Sequence, residues 1–153
     1  MPVIKIETIV TAPANIVFDL SRSIDLHKIS TAHTKEEAIA GKTSGLIEMG
    51  ESVTWRAKHF GITQELTSKI TAFKPYEYFV DEMVSGAFRS FRHEHIFKYS
   101  AGQTKMIDVF EYQSPFGILG RLADMIFLRR YMEQLLKKRN LVIKDYAENE
   151  YEI

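Results

Sequence analysis

A run of alternating segments at hairpin spacing, closed by one long helical stretch, constrains this chain more than any other feature. Residues 118–147 contain no proline and a single glycine, Gly120. On a 100° wheel Ile118, Leu122, Met125, Met132, Leu136 and Ile143 share one face of that stretch. Upstream, strand-like segments cover residues 36–42, 51–60, 62–73, 78–84, 88–99 and 104–114. Gly61, Lys74-Pro75, Ser85-Gly86 and Ala101-Gly102-Gln103 separate the later ones, which is the spacing of an antiparallel meander. Such a sheet must cover one face, and the helix is the element long enough to cover it. A strongly curved sheet around a helix leaves space between them, a candidate small-molecule pocket.

The amino-terminal part adds a strand over residues 3–11, with Ile4, Ile6, Thr8 and Val10 on the side expected to be buried. Ala12-Pro13 ends it and starts a helical pattern through Ile16, Val17 and Leu20. Residues 21–23 interrupt that pattern, and 24–29 read as a second short helix. The expected order is one strand, two short helices, a run of strands and a long carboxy-terminal helix. The 153 residues fit one domain with a sizeable core.

Charge and composition narrow the function classes. Twenty basic residues balance twenty acidic ones, so the chain has no global attraction to nucleic acid. It has no cysteine, hence no disulfide, thiolate metal site or cysteine nucleophile, in keeping with a reducing compartment. The first residues alternate around Lys5 and Glu7 and do not read as a signal peptide. No apolar run approaches the ~20 residues of a membrane span. The expectation is a soluble, cytoplasmic protein without stable membrane insertion.

Strand parity then points to an interior site. The segment 88–99 places Arg89, Phe91, His93, His95, Phe97 and Tyr99 on one face, the more aromatic and so the inner one. Two imidazoles on an apolar wall need partners, since burying an unpaired polar group costs roughly 2–7 kcal/mol. On the preceding strand Phe79, Asp81 and Met83 share a face; on the following one Met106, Asp108, Phe110 and Tyr112 do. If these faces are all inner, Asp81, His93, His95 and Asp108 converge in an aromatic box. His59, with Val53, Trp55 and Ala57 on its own strand face, can join them. A carboxylate beside an imidazole fixes its tautomer and raises its pKa. That geometry serves a ligand-orienting hydrogen-bond network, an acid/base pair or part of a metal site. No compact zinc motif is present, and no metal or cofactor is assigned.

Three further features carry weaker signals. The first half of the long helix is apolar on nearly every side; Phe116, Ile118 and Phe127 can form a gate for ligand entry or transient membrane contact. Arg129 and Arg139 flank the apolar face, where each can snorkel, pair with Asp108 or Glu111, or meet a ligand carboxylate. The glycine-spaced loop from Gly41 to Gly50 lacks phosphate-loop spacing and reads as a mobile connection or a lid. Trp55 reads as core or as a stacking wall for a ring-shaped ligand.

Several strings resemble the START and birch-pollen-allergen superfamily (SRPBCC), in its polyketide cyclase/dehydrase-like or an uncharacterised ligand-binding branch. They are Ala12-Pro13 followed by Ile16-Val17-Phe18-Asp19; Gly50-Glu51-Ser52-Val53-Thr54-Trp55; Phe79-Val80-Asp81; Gly86-Ala87-Phe88; His93-Glu94-His95-Ile96-Phe97; Asp108; and Ser114-Pro115-Phe116-Gly117. The resemblance runs over nearly the whole chain. It implies an α+β helix-grip fold: a curved antiparallel sheet of about six or seven strands around a long carboxy-terminal helix, with two short helices after the first strand. Relatives of this fold include lipid carriers, hormone receptors, polyketide cyclases and plain binders, so function must be argued from the site.

The leading expectation is binding or carriage of a hydrophobic or aromatic small molecule, lipid- or polyketide-like. Its expected site comprises Trp55, His59, Phe79, Asp81, Met83, Phe91, His93 and His95. Phe97, Met106, Asp108, Phe110, Tyr112, Leu122, Met125 and Arg129 complete it. The alternative is a cyclase, dehydratase or hydrolase using His93 or His95 with Asp81 or Asp108. The third reading is a ligand-free interaction or stress-response module.

Overall fold

A computed structural model describes residues 2–59, 61–114 and 127–150. The order is β1 (Val3–Val10), α1 (Ala14–Ser21), α2 (Ile24–Ser30) and a short 3-10 turn (Ala32–Thr34). Then come β2 (Glu37–Gly41), β3 (Ser52–His59), β4 (Ile62–Lys74), β5 (Tyr78–Ser85), β6 (Ser90–Ser100), β7 (Gln103–Gln113) and the long helix α3 (Arg129–Asn149). The strands form one seven-stranded antiparallel sheet in the order β1-β7-β6-β5-β4-β3-β2. This is the α+β helix-grip arrangement. No helix among the described residues is long and apolar enough to cross a membrane.

Local chemistry explains these elements. In β1, Ile4, Ile6 and Val10 are buried while Lys5 and Glu7 face solvent, the alternation of a half-buried strand. Pro13, extended at φ −65° and ψ 151°, precedes the first turn of α1, where its missing N–H costs nothing. Ser23 breaks the chain between α1 and α2 and caps α2, its hydroxyl accepting from the Leu26 N–H at 3.1 Å. The β6–β7 turn is the two-residue loop Ala101-Gly102, both at positive φ, which suits the twist of a tight hairpin. Register shifts at Ile39 of β2, Thr71 of β4 and Val84 of β5 mark bulges, which bend and twist a sheet.

Two expectations are corrected at strand ends. The pattern over residues 62–73 puts Ile62, Leu66 and Ile70 on the apolar side of their strand, yet Ile62 is 61% exposed, because it begins β4 beside the hairpin turn. Phe88 was expected on an outer strand face. The strand instead starts at Ser90, so Phe88 lies in the preceding turn and packs against Phe91, Phe110 and Tyr112. Of the long helix, the part expected over residues 118–126 lies outside the described residues.

α3 packs against β1, α1 and α2 through Leu136, Arg139, Asn140, Ile143 and Ala147. The core between helix and sheet is divided. One apolar cluster holds Val10, Phe18, Phe97, Met106 and Ile143; the other holds Ile4, Ile6, Phe91, Phe110 and Leu136. Each element passes from one cluster to the other through polar residues: Thr8 on β1, Asp108 on β7, His93 and His95 on β6, Arg139 and Asn140 on α3. The β-sheet register sets this layer level, pairing His95 with Asp108 and Asp108 with Ile6.

Candidate functional site

Within that polar layer, strand pleat turns His93 and His95 to the same side, and antiparallel pairing brings a carboxylate to each. His93 Nε2 lies 2.7 Å from Asp108 Oδ1, and His95 Nε2 lies 2.7 Å from Asp81 Oδ2. With the carboxylates ionised, both imidazoles donate through Nε2–H, which fixes the tautomers. Asn140 Nδ2 donates to the other oxygen of Asp108 at 2.7 Å and to Thr8 Oγ1 at 3.3 Å. Arg139 donates to Ser21 O and Asn140 Oδ1, both at 3.0 Å. It also stands 3.5 Å from both His95 Nδ1 and Asp108 Oδ1.

The rings are stacked as well as bonded. Phe79 lies over His95 at 4.1 Å, His95 over His93 at 3.7 Å, and Phe110 meets His93 edge-on at 5.3 Å. Burial would raise the Asp108 carboxyl, but the bond from His93, the nearby His95 ring and the Arg139 charge outweigh it and hold the group well below its ordinary range. Asp81 is lowered for the same reason: its bond to His95 outweighs burial. His93 is pushed down by burial and by its neighbour His95, against the pull of Asp108. His93 is therefore neutral at pH 7, and its Nδ1 has no bond among the described residues.

A cavity of about 400 Å³ opens between sheet and helix. Of the residues named from the sequence, Trp55, His59, Phe79, Asp81, Phe91, His93, His95 and Phe110 line it. Other expected residues do not reach it. Phe97, Met106 and Tyr112 are packed into the core, and Asp108 is fully buried behind His93. Met83 is half-buried beside the Phe91 cluster, next to the register shift that leaves Val84 of β5 as the extra residue. Arg129 is corrected outright: it is exposed and donates to Val3 O at 3.2 Å, on the side of α3 away from the cavity. Leu122, Met125, Phe116 and Ile118 lie outside the described residues. Phe127, the remaining member of the expected gate, lines the cavity and is 65% exposed.

His59 does not join the His93–His95 group. Its Nδ1 bonds the Tyr131 hydroxyl at 2.6 Å, near Glu36, which itself bonds His27 Nε2 at 2.8 Å. Sequence reasoning missed Glu36, His27, Tyr131 and Asn140, and left Arg139 beside the apolar face. The spacing Leu136, Arg139, Asn140, Ile143 is that of one helical face, a signal that could have placed the last two inside. Glu36 and His27 come from a turn and a short helix, where no periodicity points inward. Leu66 and Phe88 also line the cavity. Gly86 explains Phe88: a Cβ there would sit 2.9 Å from Leu66 Cα, so only glycine lets this turn lie against β4.

Asp81, His93 and His95 each bring one ligand atom within 4.8 Å of the others, the one grouping among the described residues able to converge on a cation. Bonds of ~2 Å to a metal would require those imidazoles to give up their carboxylates beside the Arg139 guanidinium. The donor set fits a hydrogen-bond network better than a metal site.

No family model matches the chain, and no curated protein matches it in sequence. Solved structures do match it in shape. TTHA0849 from Thermus thermophilus aligns with a TM-score of 0.74 at 16% identity, over 95% of this chain and 99% of its own. The ginseng major latex-like protein 151 from Panax ginseng aligns at 0.69 and 12%, over 95% of this chain and 97% of its own. The di-domain ARO/CYC StfQ from the steffimycin biosynthetic pathway aligns at 0.62 and 16%, over 96% of this chain and 45% of its own. At 16% identity or below, these likenesses are of fold, and the fold they share with this chain is the helix-grip arrangement.

Proposed function

We propose that the protein binds or carries an apolar, ring-containing small molecule, lipid- or polyketide-like, in the cavity between the sheet and α3. One observation carries this reading: a hollow of about 400 Å³ walled by Trp55, Leu66, Phe79, Phe88 and Phe110, with His93, His95 and Asp81 at one side. Small-molecule sites have this volume and this mix of apolar wall and few polar groups. The wall supplies affinity at about 25 cal/mol per Å² of apolar surface covered. The polar groups supply orientation: His93 Nδ1 can accept from a ligand hydroxyl. Ser114 Oγ, buried with no bond among the described residues and also lining the cavity, can bond a ligand oxygen. The fold likeness to a structure named as an ARO/CYC of a biosynthetic pathway is in keeping with a small-molecule ligand.

His93 and His95 are read as orienting groups, because each already donates to a carboxylate and stacks within a column of rings.

Native mass spectrometry of gently purified protein tests this, together with displacement of an environment-sensitive dye. Trp55, the single tryptophan, lines the cavity and reports occupancy by its fluorescence. A bound mass or a displaceable dye that alters Trp55 emission is the expected result. A dye that never binds, with Trp55 unchanged, overturns the reading.

A further inference from the structure

A second polar pole faces the same cavity. His27 from α2 bonds Glu36 at 2.8 Å and lies against Trp55 with ring centroids 4.3 Å apart. His59 from β3 bonds the Tyr131 hydroxyl of α3 at 2.6 Å. All five side chains line the cavity. His27 and His59 each commit one ring nitrogen to these bonds, and the second nitrogen has no bond among the described residues. Glu36 stays ionised: burial would raise it, but the charge and bond of His27 outweigh that. His59 is lowered by burial, against the pull of Glu36.

The register gives the distance from Trp55, where His27 stacks, to the Asp81 row beside His93; His59 lies further out, opposite Ile62. Trp55 pairs with Leu66, and Ile70, four residues further along β4, pairs with Asp81. Four residues of strand span roughly 13 Å at ~3.3 Å each. Leu66 and Ile70 wall the stretch between.

Charge limits what can lie there. The guanidiniums of Arg22 and Arg139 line the cavity, but both are engaged. Arg22 holds Asp19 at 3.0 Å and donates to Ile47 O at 3.1 Å. Arg139 is held by Ser21, Asn140 and Asp108. Against these two cations stand four carboxylates, Asp19, Glu36, Asp81 and Asp108. A ligand carboxylate would add a fifth negative charge with no uncommitted Lys or Arg among the described residues that line the cavity to receive it.

We infer that the cavity is a two-ended site for an uncharged, elongated ring system carrying a hydroxyl at the His93 end and a hydroxyl or carbonyl oxygen at the other, and that it discriminates against carboxylates. This rests on the cavity reading above and adds the chemical class of the ligand. One oxygen bonds the His93 pole; the other bonds the His27–Glu36–His59–Tyr131 pole; the rings lie along Leu66 and Trp55.

The test is a fluorescence titration of the full chain with 4-hydroxystilbene, 4,4′-dihydroxystilbene and stilbene-4-carboxylate, rigid rods differing only in their ends. The expected result is about tenfold tighter binding of the diol than of the mono-ol, and about tenfold weaker binding of the carboxylate. Glu36→Gln combined with His59→Phe is expected to reduce the diol's advantage below twofold. The comparison among the three probes uses unaltered protein and holds even if that variant does not fold. Equal binding of mono-ol and diol, or tight binding of the carboxylate, overturns the inference and leaves the cavity reading standing. A diol advantage that survives in the folded double variant also overturns it. If none of the three binds, the cavity reading falls and this inference with it.

Discussion

Asn140 and Asp108 are joined across the helix–sheet interface by a 2.7 Å bond from the side-chain amide to Oδ2, and both are buried. With His93 on Oδ1, this leaves the carboxylate bonded on both oxygens. The bond ties α3 to β7 at one register, so the polar layer also sets where the helix sits on the sheet.

Replacing Asn140 with Ala removes one donor from a buried carboxylate. The expected loss is about 1–3 kcal/mol of folding stability. Leu141→Ala, at a neighbouring residue that is 63% exposed, should stay within about 0.5 kcal/mol. Urea unfolding of the two variants side by side checks the difference.

Arg139 is the cation that balances Asp81 and Asp108 inside the core. Arg139→Met keeps the stem but strands two carboxylates, and breaking a buried charge set of this kind costs about 3–5 kcal/mol. Arg139→Lys should recover part of that loss. Chemical denaturation midpoints of the three proteins decide it.

Acid should weaken the fold in two stages. Burial holds His93 below the ordinary 6.5, and His59 is shifted the same way. Below pH 6.5 the unfolded chain takes up protons that the folded chain refuses, so stability falls as pH drops from there toward the folded pKa values. Asp108 lies well below 3.8, so its contribution is full above that pH and is lost as pH falls through its folded value. Denaturation midpoints across this range should show both steps. His93→Gln, which keeps a donor toward Asp108, should shrink the first.

The Ala101-Gly102 turn holds Ala101 at φ 52°, a conformation costly to an alanine and tolerated by asparagine. Ala101→Asn should therefore stabilise the protein by about 0.5–1 kcal/mol. An increase in the unfolding midpoint with unchanged dye binding is the expected measurement.

Gly86→Ala should do the reverse. Its Cβ would press on Leu66 Cα at 2.9 Å, forcing the turn away from β4 and Phe88 out of the cavity wall. A loss of about 1–3 kcal/mol is expected, as for other overpacked positions. Weaker dye binding should accompany it.

Period-2 and period-3.6 patterns in the chain were enough to predict the strands, the two short helices, the long helix and the inner faces of β3, β5, β6 and β7. Those patterns reflect burial of one face of each element, a local property written residue by residue. Parity alone therefore put His93, His95, Asp81 and Asp108 on one face of three adjacent strands. It could not tell wall from core. Phe97, Met106 and Tyr112 share the inner face with Phe91 and Phe110, yet only the last two reach the cavity, because the helix covers the others.

Tertiary structure alone decided the rest. Arg129 and Arg139 look alike from the helical wheel; the rotation of α3 against β1 and β7 turned one to solvent and the other onto Asp108. Glu36, His27, His59 and Tyr131 come from four separate elements, so no spacing in the chain links them. Their meeting depends on where the sheet bends and how α2 and α3 lie across it. Sequence periodicity dictates which face of an element is apolar; the packing angle and the bulges dictate which polar groups meet there.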